Sequence, residues 1–190
     1  FYHQITTSCN FVHGSVLHDF QIKKWGNSSI WLPGGNSLNV TPFNWDNYYK
    51  ELQEDWSFGT MDFTIDMWVQ LDTLAPQQAN DLVIMSHYNT STDYWGLKYN
   101  GTDGLVFFRQ RTDGYYKMKQ GNITGWNTTS FHHIAVSRSG GTMYLFLDGL
   151  LVASGAFDYD LDLAAHPNAL RIGGIPDDTA SQRFFRGHID

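Results

Sequence analysis

From Met61 onward the chain alternates apolar and polar side chains with a period of two: Phe63, Ile65, Met67, Val69 and Leu71 fall on one side, Thr64, Asp66, Trp68 and Gln70 on the other. Successive side chains of extended backbone point to opposite faces, so this pattern specifies a strand with one face buried. A strand buried on one face needs another layer to cover it, so the pattern constrains the whole fold.

The rest of the sequence supplies partners. Leu82 to His87 is predicted as a second strand. YWGLKY and LVFFRQR flank the turn NGTDG (100–104), whose Asn and Gly tolerate the positive φ of a hairpin reversal, and Tyr115 to Lys119 pairs next. In FHHIAVSRSGGTMYLFLDGLLVASG (131–155) three antiparallel strands succeed one another across tight turns at Gly140-Gly141 and Asp148-Gly149. LRIGG from Leu170 and FRGHID from Phe185 bring the count to nine or ten short strands with almost no helix. The single helix candidate is YYKELQEDW, Tyr48 to Trp56, in a stretch from Lys23 to Asp55 where Gly, Asn, Pro and Trp break any period. The predicted architecture is all-β, a two-sheet antiparallel sandwich in one domain over residues 1–190. Aromatic residues equal charged residues at 16% each, a composition that favours strands.

These segments resemble the concanavalin A-like lectin/glucanase superfamily, specifically its laminin-G-like jelly rolls: FGTMDFTIDMWVQLDTL (58–74), FHHIAVSRSGGTMYLFLDGLLVASG, LRIGG and FRGHID occur in family order and spacing over about two-thirds of the chain. The resemblance implies a jelly-roll sandwich. It also implies a closing strand that continues past Ile189-Asp190, so the domain is expected to be truncated in or just before that strand. Residues 23–56 are expected to be a loop-rich insertion carrying specificity.

The glycoside hydrolases of that superfamily use carboxylates alternating on one strand as E-x-D-x-x-E. No such motif occurs, and the only glutamates, Glu51 and Glu54, fall in the helix candidate, so the chain is expected not to be an enzyme. A net charge of −7 with scattered Lys and Arg excludes a phosphate-tracking surface for nucleic acid, and the apolar run Leu82 to Met85 is far too short to insert in a membrane. Phe1 opens no signal peptide, which points to a removed leader or an excised fragment.

What remains is recognition. Aromatic residues in predicted loops are the candidates for stacking on sugar rings: Trp45, Tyr48 and Tyr49, the pairs Tyr94-Trp95 and Tyr115-Tyr116, and Trp126. Arg109 and Arg111 share one strand face and could grip a carboxylated or hydroxylated ligand. No cofactor is required. Ca²⁺ would find hard oxygen ligands at Asp158, Asp160 and Asp162, if that run is extended, or at Asp177 and Asp178. His132 and His133 alternate across a strand and cannot chelate one ion together. Cys9 is the only cysteine, so the chain forms no internal disulfide. Sequons begin at Asn27, Asn39, Asn89, Asn100, Asn122 and Asn127: glycan acceptors in a eukaryotic secretory pathway, or the by-product of an Asn-, Ser- and Thr-rich chain such as a bacterial virus protein. The expected function is a non-catalytic recognition or adhesion module, extracellular or on a virion surface, binding a glycan or a protein partner. The alternative is an assembly domain of a virus particle, fibre or filament that self-associates and holds no small ligand.

Overall fold

A computed structural model of the chain describes residues 8–13, 17–35, 37–41, 58–74, 81–163, 170–175 and 184–190. Among them are fourteen strands and no helix. Four lie early: β1 (Ser8–His13), β2 (Leu17–Asp19), β3 (Ser29–Pro33) and β4 (Ser37–Thr41). The alternating segment is β5 (Phe63–Leu71), followed by β6 (Leu82–Thr90), β7 (Asp93–Asn100), β8 (Gly104–Arg111) and β9 (Gly114–Lys119). Then come β10 (His132–Ser139), β11 (Thr142–Leu147), β12 (Leu150–Ala156), β13 (Leu170–Ile172) and β14 (Arg186–Ile189).

Two seven-stranded sheets result. Sheet A runs β1-β4-β13-β6-β7-β8-β9 and sheet B runs β12-β11-β10-β5-β14-β3-β2, with every pairing of named strands antiparallel. Non-consecutive neighbours in both sheets are the signature of a jelly roll. Val69, Leu71, Ile134, Val136 and Leu145 of sheet B face Leu97, Leu105 and Phe107 of sheet A in a core where each is at most 1% exposed. The predicted hairpin turn at Asp148-Gly149 has positive φ at both residues, 51° and 78°.

The early strands exceed the sequence expectation because they are too short for a sustained alternation, yet they are integral. β3 pairs with β14 and sends Leu32 into the core, and β4 lies between β1 and β13. The expected insertion at 23–56 therefore contains one strand of each sheet; residues 42–57, with the predicted helix and both glutamates, lie outside the described residues. β14 seats between β5 and β3, and Gly187 is what lets it do so: a Cβ there would lie 2.0 Å from the Gln70 carbonyl oxygen.

Half-burial holds for sheet B but not for the middle of sheet A, where β6, β7 and β8 are buried on both faces. Val106 and Phe108 point away from the core and are still 0% and 4% exposed. The Phe108 ring reaches over Gly96, where a Cβ would come within 2.9 Å of its Cζ. The outer face of sheet B stays open, and the candidate site is built there.

Candidate functional site

Trp68 occupies the middle of β5 on the side away from the core. On one flank it is paired with His133 of β10, and the two ring centroids are 5.0 Å apart. On the other flank its backbone exchanges two hydrogen bonds with Asp190 at the end of β14 (2.9 and 3.0 Å). His133, Trp68 and Asp190 therefore form a row across three strands.

The loop between β2 and β3 folds over this row. Asp19 opens it: one carboxylate oxygen accepts the Gln21 and Ile22 amides at 2.7 and 3.0 Å, and the other meets His188 Nε2 at 3.1 Å. The backbone hydrogen bonds from Ile22 and Gln21 lead the interactions that hold the Asp19 carboxyl below its ordinary pKa. The tip is tied by Asp190, whose Oδ2 accepts the amides of both Lys24 and Trp25 at 2.9 Å. That anchor sets the Trp25 ring edge-on to Trp68, with centroids 6.5 Å apart and planes at 72°, and brings Lys24 Nζ to 4.2 Å from the Trp68 centroid. A hollow of about 360 Å³ lined by Leu17, His18, Asp19, Phe20, Gln21 and Trp31 opens at the foot of the loop.

Two indole planes near a right angle form a corner. Trp25 is 62% exposed, an unusual state for the largest apolar side chain in a short, well-tied loop. Beside the corner His133 Nε2 lies 3.4 Å from Asp66 Oδ1, and the Asp66 side chain is 59% exposed. An apolar wall next to an exposed carboxylate, an imidazole and an ammonium suits a ring with one CH-bearing face and a rim of hydroxyls.

The residues nominated from sequence are scattered differently. Tyr94 and Tyr115 share the outer face of sheet A, Tyr94 stacked on Tyr88 and Tyr115 half exposed on edge strand β9. Trp95, adjacent to Tyr94 and on the opposite face, is fully buried and packs against Phe58 and Phe107. Tyr116 lies over Phe157 with its hydroxyl proton held above the usual pKa by burial, and Trp126 is buried against Tyr99 and His132 while donating to Gln120 Oε1 at 2.9 Å. Arg109 and Arg111 do share a face, but it is the inner one. Arg109 is 1% exposed, forks both terminal nitrogens onto Asp113 at 2.9 and 3.0 Å, donates to the Asp160 carbonyl and stacks over Tyr159, while Arg111 pairs with Asp93 at 3.2 Å. Trp45, Tyr48 and Tyr49 lie outside the described residues.

The acidic run 158–162 is not a strand. Phe157 and Leu161 insert fully into the core, and between them the backbone turns, so that Asp160 and Asp162 are spent on backbone amides. Asp162 accepts the Gly59 amide, Asp160 accepts the Asp162 amide, and among the described residues no three His, Cys, Asp or Glu side chains gather as a cation would require. Asp177 and Asp178 lie outside the described residues. His132 and His133 split across the strand as expected, His132 inward with Nδ1 2.8 Å from Asp148 and His133 at the corner. Of the sequon asparagines, Asn27 and Asn122 are exposed, Asn39, Asn89 and Asn127 are half-buried, and Asn100 is 4% exposed with its side chain bonded to Asp81 and to the Thr102 and Asp103 amides. Sequence reasoning missed Trp25, Lys24, Asp66 and Asp190, and it placed Trp68 only as a strand residue; the available signal was a tryptophan on the polar side of an alternating strand.

Comparison with known proteins agrees with this architecture. A family model for the concanavalin A-like lectin/glucanases superfamily matches residues 46–190. No curated protein sequence matches the chain. Among solved structures, domain 4 of AbnA, an extracellular arabinanase of Geobacillus stearothermophilus in complex with arabinotriose, superposes with a TM-score of 0.70 at 16% identity, covering 96% of this chain and 79% of that one. The CBM40 module of the Ruminococcus gnavus IT-sialidase bound to α2,3-sialyllactose gives 0.64 at 16% identity, covering 93% and 89%. Domains LG4-5 of the mouse laminin α1 chain give 0.60 at 14% identity, covering 85% of this chain and 39% of that one. With two sheets in jelly-roll order and a family match over most of its length, the chain belongs to the concanavalin A-like lectin/glucanases superfamily, in its laminin-G-like form.

Proposed function

We propose that the chain is a non-catalytic carbohydrate-recognition module acting outside the cell, and that it holds a glycan at the corner formed by Trp25, Trp68 and His133. The observation that carries this reading is the exposed Trp25 ring, set at 72° to Trp68 by a carboxylate that ties its loop to the sheet. Similar folds lend support: one was solved with arabinotriose and one with sialyllactose. The absence of the E-x-D-x-x-E strand motif from the sequence favours binding over hydrolysis.

The test is a glycan array probed with the whole chain and with Trp25→Ala, whose ring is mostly outside the packed structure. Retention of at least one glycan by the wild type, lost in the variant, is expected. No retained glycan, or retention equal in both, overturns the reading.

One feature favours assembly as a second reading. Edge strand β12 reads LLVASGA, carries no charge and exposes Leu150 and Leu151 at 71% and 54%. An uncharged edge of this kind is open to pairing with a second strand. A chain that retains no glycan and sediments as a dimer dispersed by Leu151→Lys would establish that reading instead.

A further inference from the structure

The corner of Trp25 and Trp68 already holds a cation. Lys24 Nζ lies 4.2 Å from the Trp68 centroid and 5.7 Å from that of Trp25, both within the reach of a cation–π contact. Trp25 follows Lys24 in the chain, so that contact is local, whereas Trp68 belongs to β5 and is brought there by the fold. Among the described residues the Lys24 ammonium has no carboxylate partner, and the side chain is exposed. Its position is set by the Asp190 carboxylate, which holds the Lys24 amide, and by the two ring faces.

Two carboxylates border the same corner. Asp190 anchors the loop, and Asp66, two residues before Trp68 on the same face of β5, is mostly exposed beside the His133 ring. Lys23 does not offset them, because its ammonium turns back onto the Phe20 and Asn27 carbonyls. With Lys24 counted and His133 taken as neutral, the corner keeps an excess of negative charge, and the chain as a whole carries −7. An anionic ligand drawn to Lys24 meets both carboxylates at close range. A cationic one meets two carboxylates and the negative faces of two indoles.

We infer that the corner selects its ligand by a positively charged nitrogen. An alkylammonium group, carried by an amino sugar or as a quaternary ammonium substituent on a glycan, takes the place of Lys24 over Trp68 and Trp25, with Asp66 as its counter-charge. The inference rests on the reading of this corner as the binding site. Lys24 is then an internal competitor: a neutral sugar has to displace its ammonium from Trp68 without replacing the charge, and a cationic ligand replaces it. A quaternary nitrogen has a further advantage, since the compact lysine ammonium is strongly hydrated and gives up more water on meeting a ring.

The test follows the indole N–H resonances of Trp25 and Trp68 in the whole chain during titration at constant ionic strength. The probes are choline chloride and neohexanol, in which carbon replaces the charged nitrogen. Choline is expected to bind at least about fivefold tighter than neohexanol, the margin a cation–π contact adds to apolar contact. Trp25→Ala is expected to abolish that preference and Asp66→Asn to reduce it about threefold, while Lys24→Gln, which removes the competing ammonium, tightens choline about threefold. Glucosamine trimer against its N-acetylated form, both at about pH 6 and so below the range in which α-amino groups titrate, separates the two sources. Tighter binding of the free amine assigns an amino sugar; discrimination by choline alone assigns a quaternary substituent. Equal binding of choline and neohexanol, a preference that survives Trp25→Ala, or choline binding that Lys24→Gln leaves unchanged or loosens overturns the inference. Should any of these accompany a glycan retained through Trp25, the cation selectivity falls and the glycan reading stands; with no glycan retained, both fall.

Discussion

Asp190 and Trp25, 165 residues apart in sequence, are joined by a hydrogen bond from the Trp25 amide to the Asp190 carboxylate at 2.9 Å, and the same oxygen accepts the Lys24 amide. Asp190 is itself fixed by the two backbone bonds it exchanges with Trp68. One carboxylate thus couples the floor of the corner to its wall. Its pre-organising effect is entropic: a loop already held in its binding geometry loses less freedom when a ligand arrives.

Asp190→Ala should therefore weaken glycan binding at the corner without unfolding the sandwich. Two exposed charge-assisted hydrogen bonds to backbone are lost, and a drop in affinity of about 1 kcal/mol is expected. Hydrogen exchange at the Lys24 and Trp25 amides should accelerate while β5 and β10 stay protected. Unchanged exchange at those two amides would show that the loop is held by other contacts.

Asp103 makes a pH-dependent contribution. Burial works against its ionisation, but hydrogen bonds and charges from Lys117 and Lys119 outweigh burial and hold the carboxyl at about 2, against an ordinary value of 3.8. A depressed folded-state pKa stabilises the protein fully above the unfolded value and loses that contribution as pH falls from about 4 towards 2. The size is about 2 kcal/mol for a shift of this extent. Asp103→Asn should cost about that much at pH 7 and little at pH 2, measured as urea midpoints. A loss equal at both pH values would assign the effect to packing.

Much of this was legible in the residues and some was not, for physical reasons. The β5 alternation, the Asp148-Gly149 turn and the FRGHID strand each follow from local rules of period and φ, so they read directly. β2 is three residues long and exists only because β3 pairs with it, which no local pattern records. The candidate site suffered the same limit. Neighbouring Tyr94 and Trp95 look alike in sequence, yet strand alternation sends one outward and the other to full burial. Arg109 resembles a ligand-gripping residue until tertiary structure sets Asp113 and the Asp160 carbonyl around it. Trp68 carried a signal that the sequence expectation left unused: an indole on the polar side of an amphipathic strand has little reason to be there without a surface to make.

Arg109 is predicted to act in stability alone. Its guanidinium joins β8 to the 157–163 segment, with a forked pair to Asp113, a bond to the Asp160 carbonyl and the Tyr159 ring 4.7 Å away. Arg109→Met should destabilise the domain by about 3 kcal/mol, within the range for breaking a buried charged network. The hydrogen bond from Arg109 is the main reason the Asp113 carboxyl titrates below its ordinary pKa. In the variant its carboxyl carbon resonance should titrate at a higher pH, while affinity at the Trp25 corner stays as in wild type. A loss of affinity with no change in melting would move Arg109 from the scaffold to the binding surface.

The sequons differ in burial and in what their side chains already bind, and the extremes give a test of where the chain tolerates glycans. A glycan replaces one hydrogen of the asparagine Nδ2 and needs open space around it. Asn27 and Asn122 are exposed, and Asn122 uses only its carbonyl oxygen, which accepts the Thr124 amide, so its nitrogen is free to carry a sugar without disturbing the turn. Asn100 donates from Nδ2 to Asp81 at 3.3 Å while its oxygen accepts two backbone amides, and it is 4% exposed. Asn39 sits inside sheet A between β1 and β13 with a buried side-chain oxygen. Secreted from eukaryotic cells, the folded chain should carry glycan at Asn27 and Asn122 and none at Asn39 or Asn100, as read by glycopeptide mass spectrometry. Asn100→Gln, which lengthens the side chain and misplaces both turn contacts, should cost about 1–2 kcal/mol, whereas Asn27→Gln should cost nothing measurable. Full occupancy at Asn100 in a chain that still melts cooperatively would contradict the placement of the β7–β8 turn.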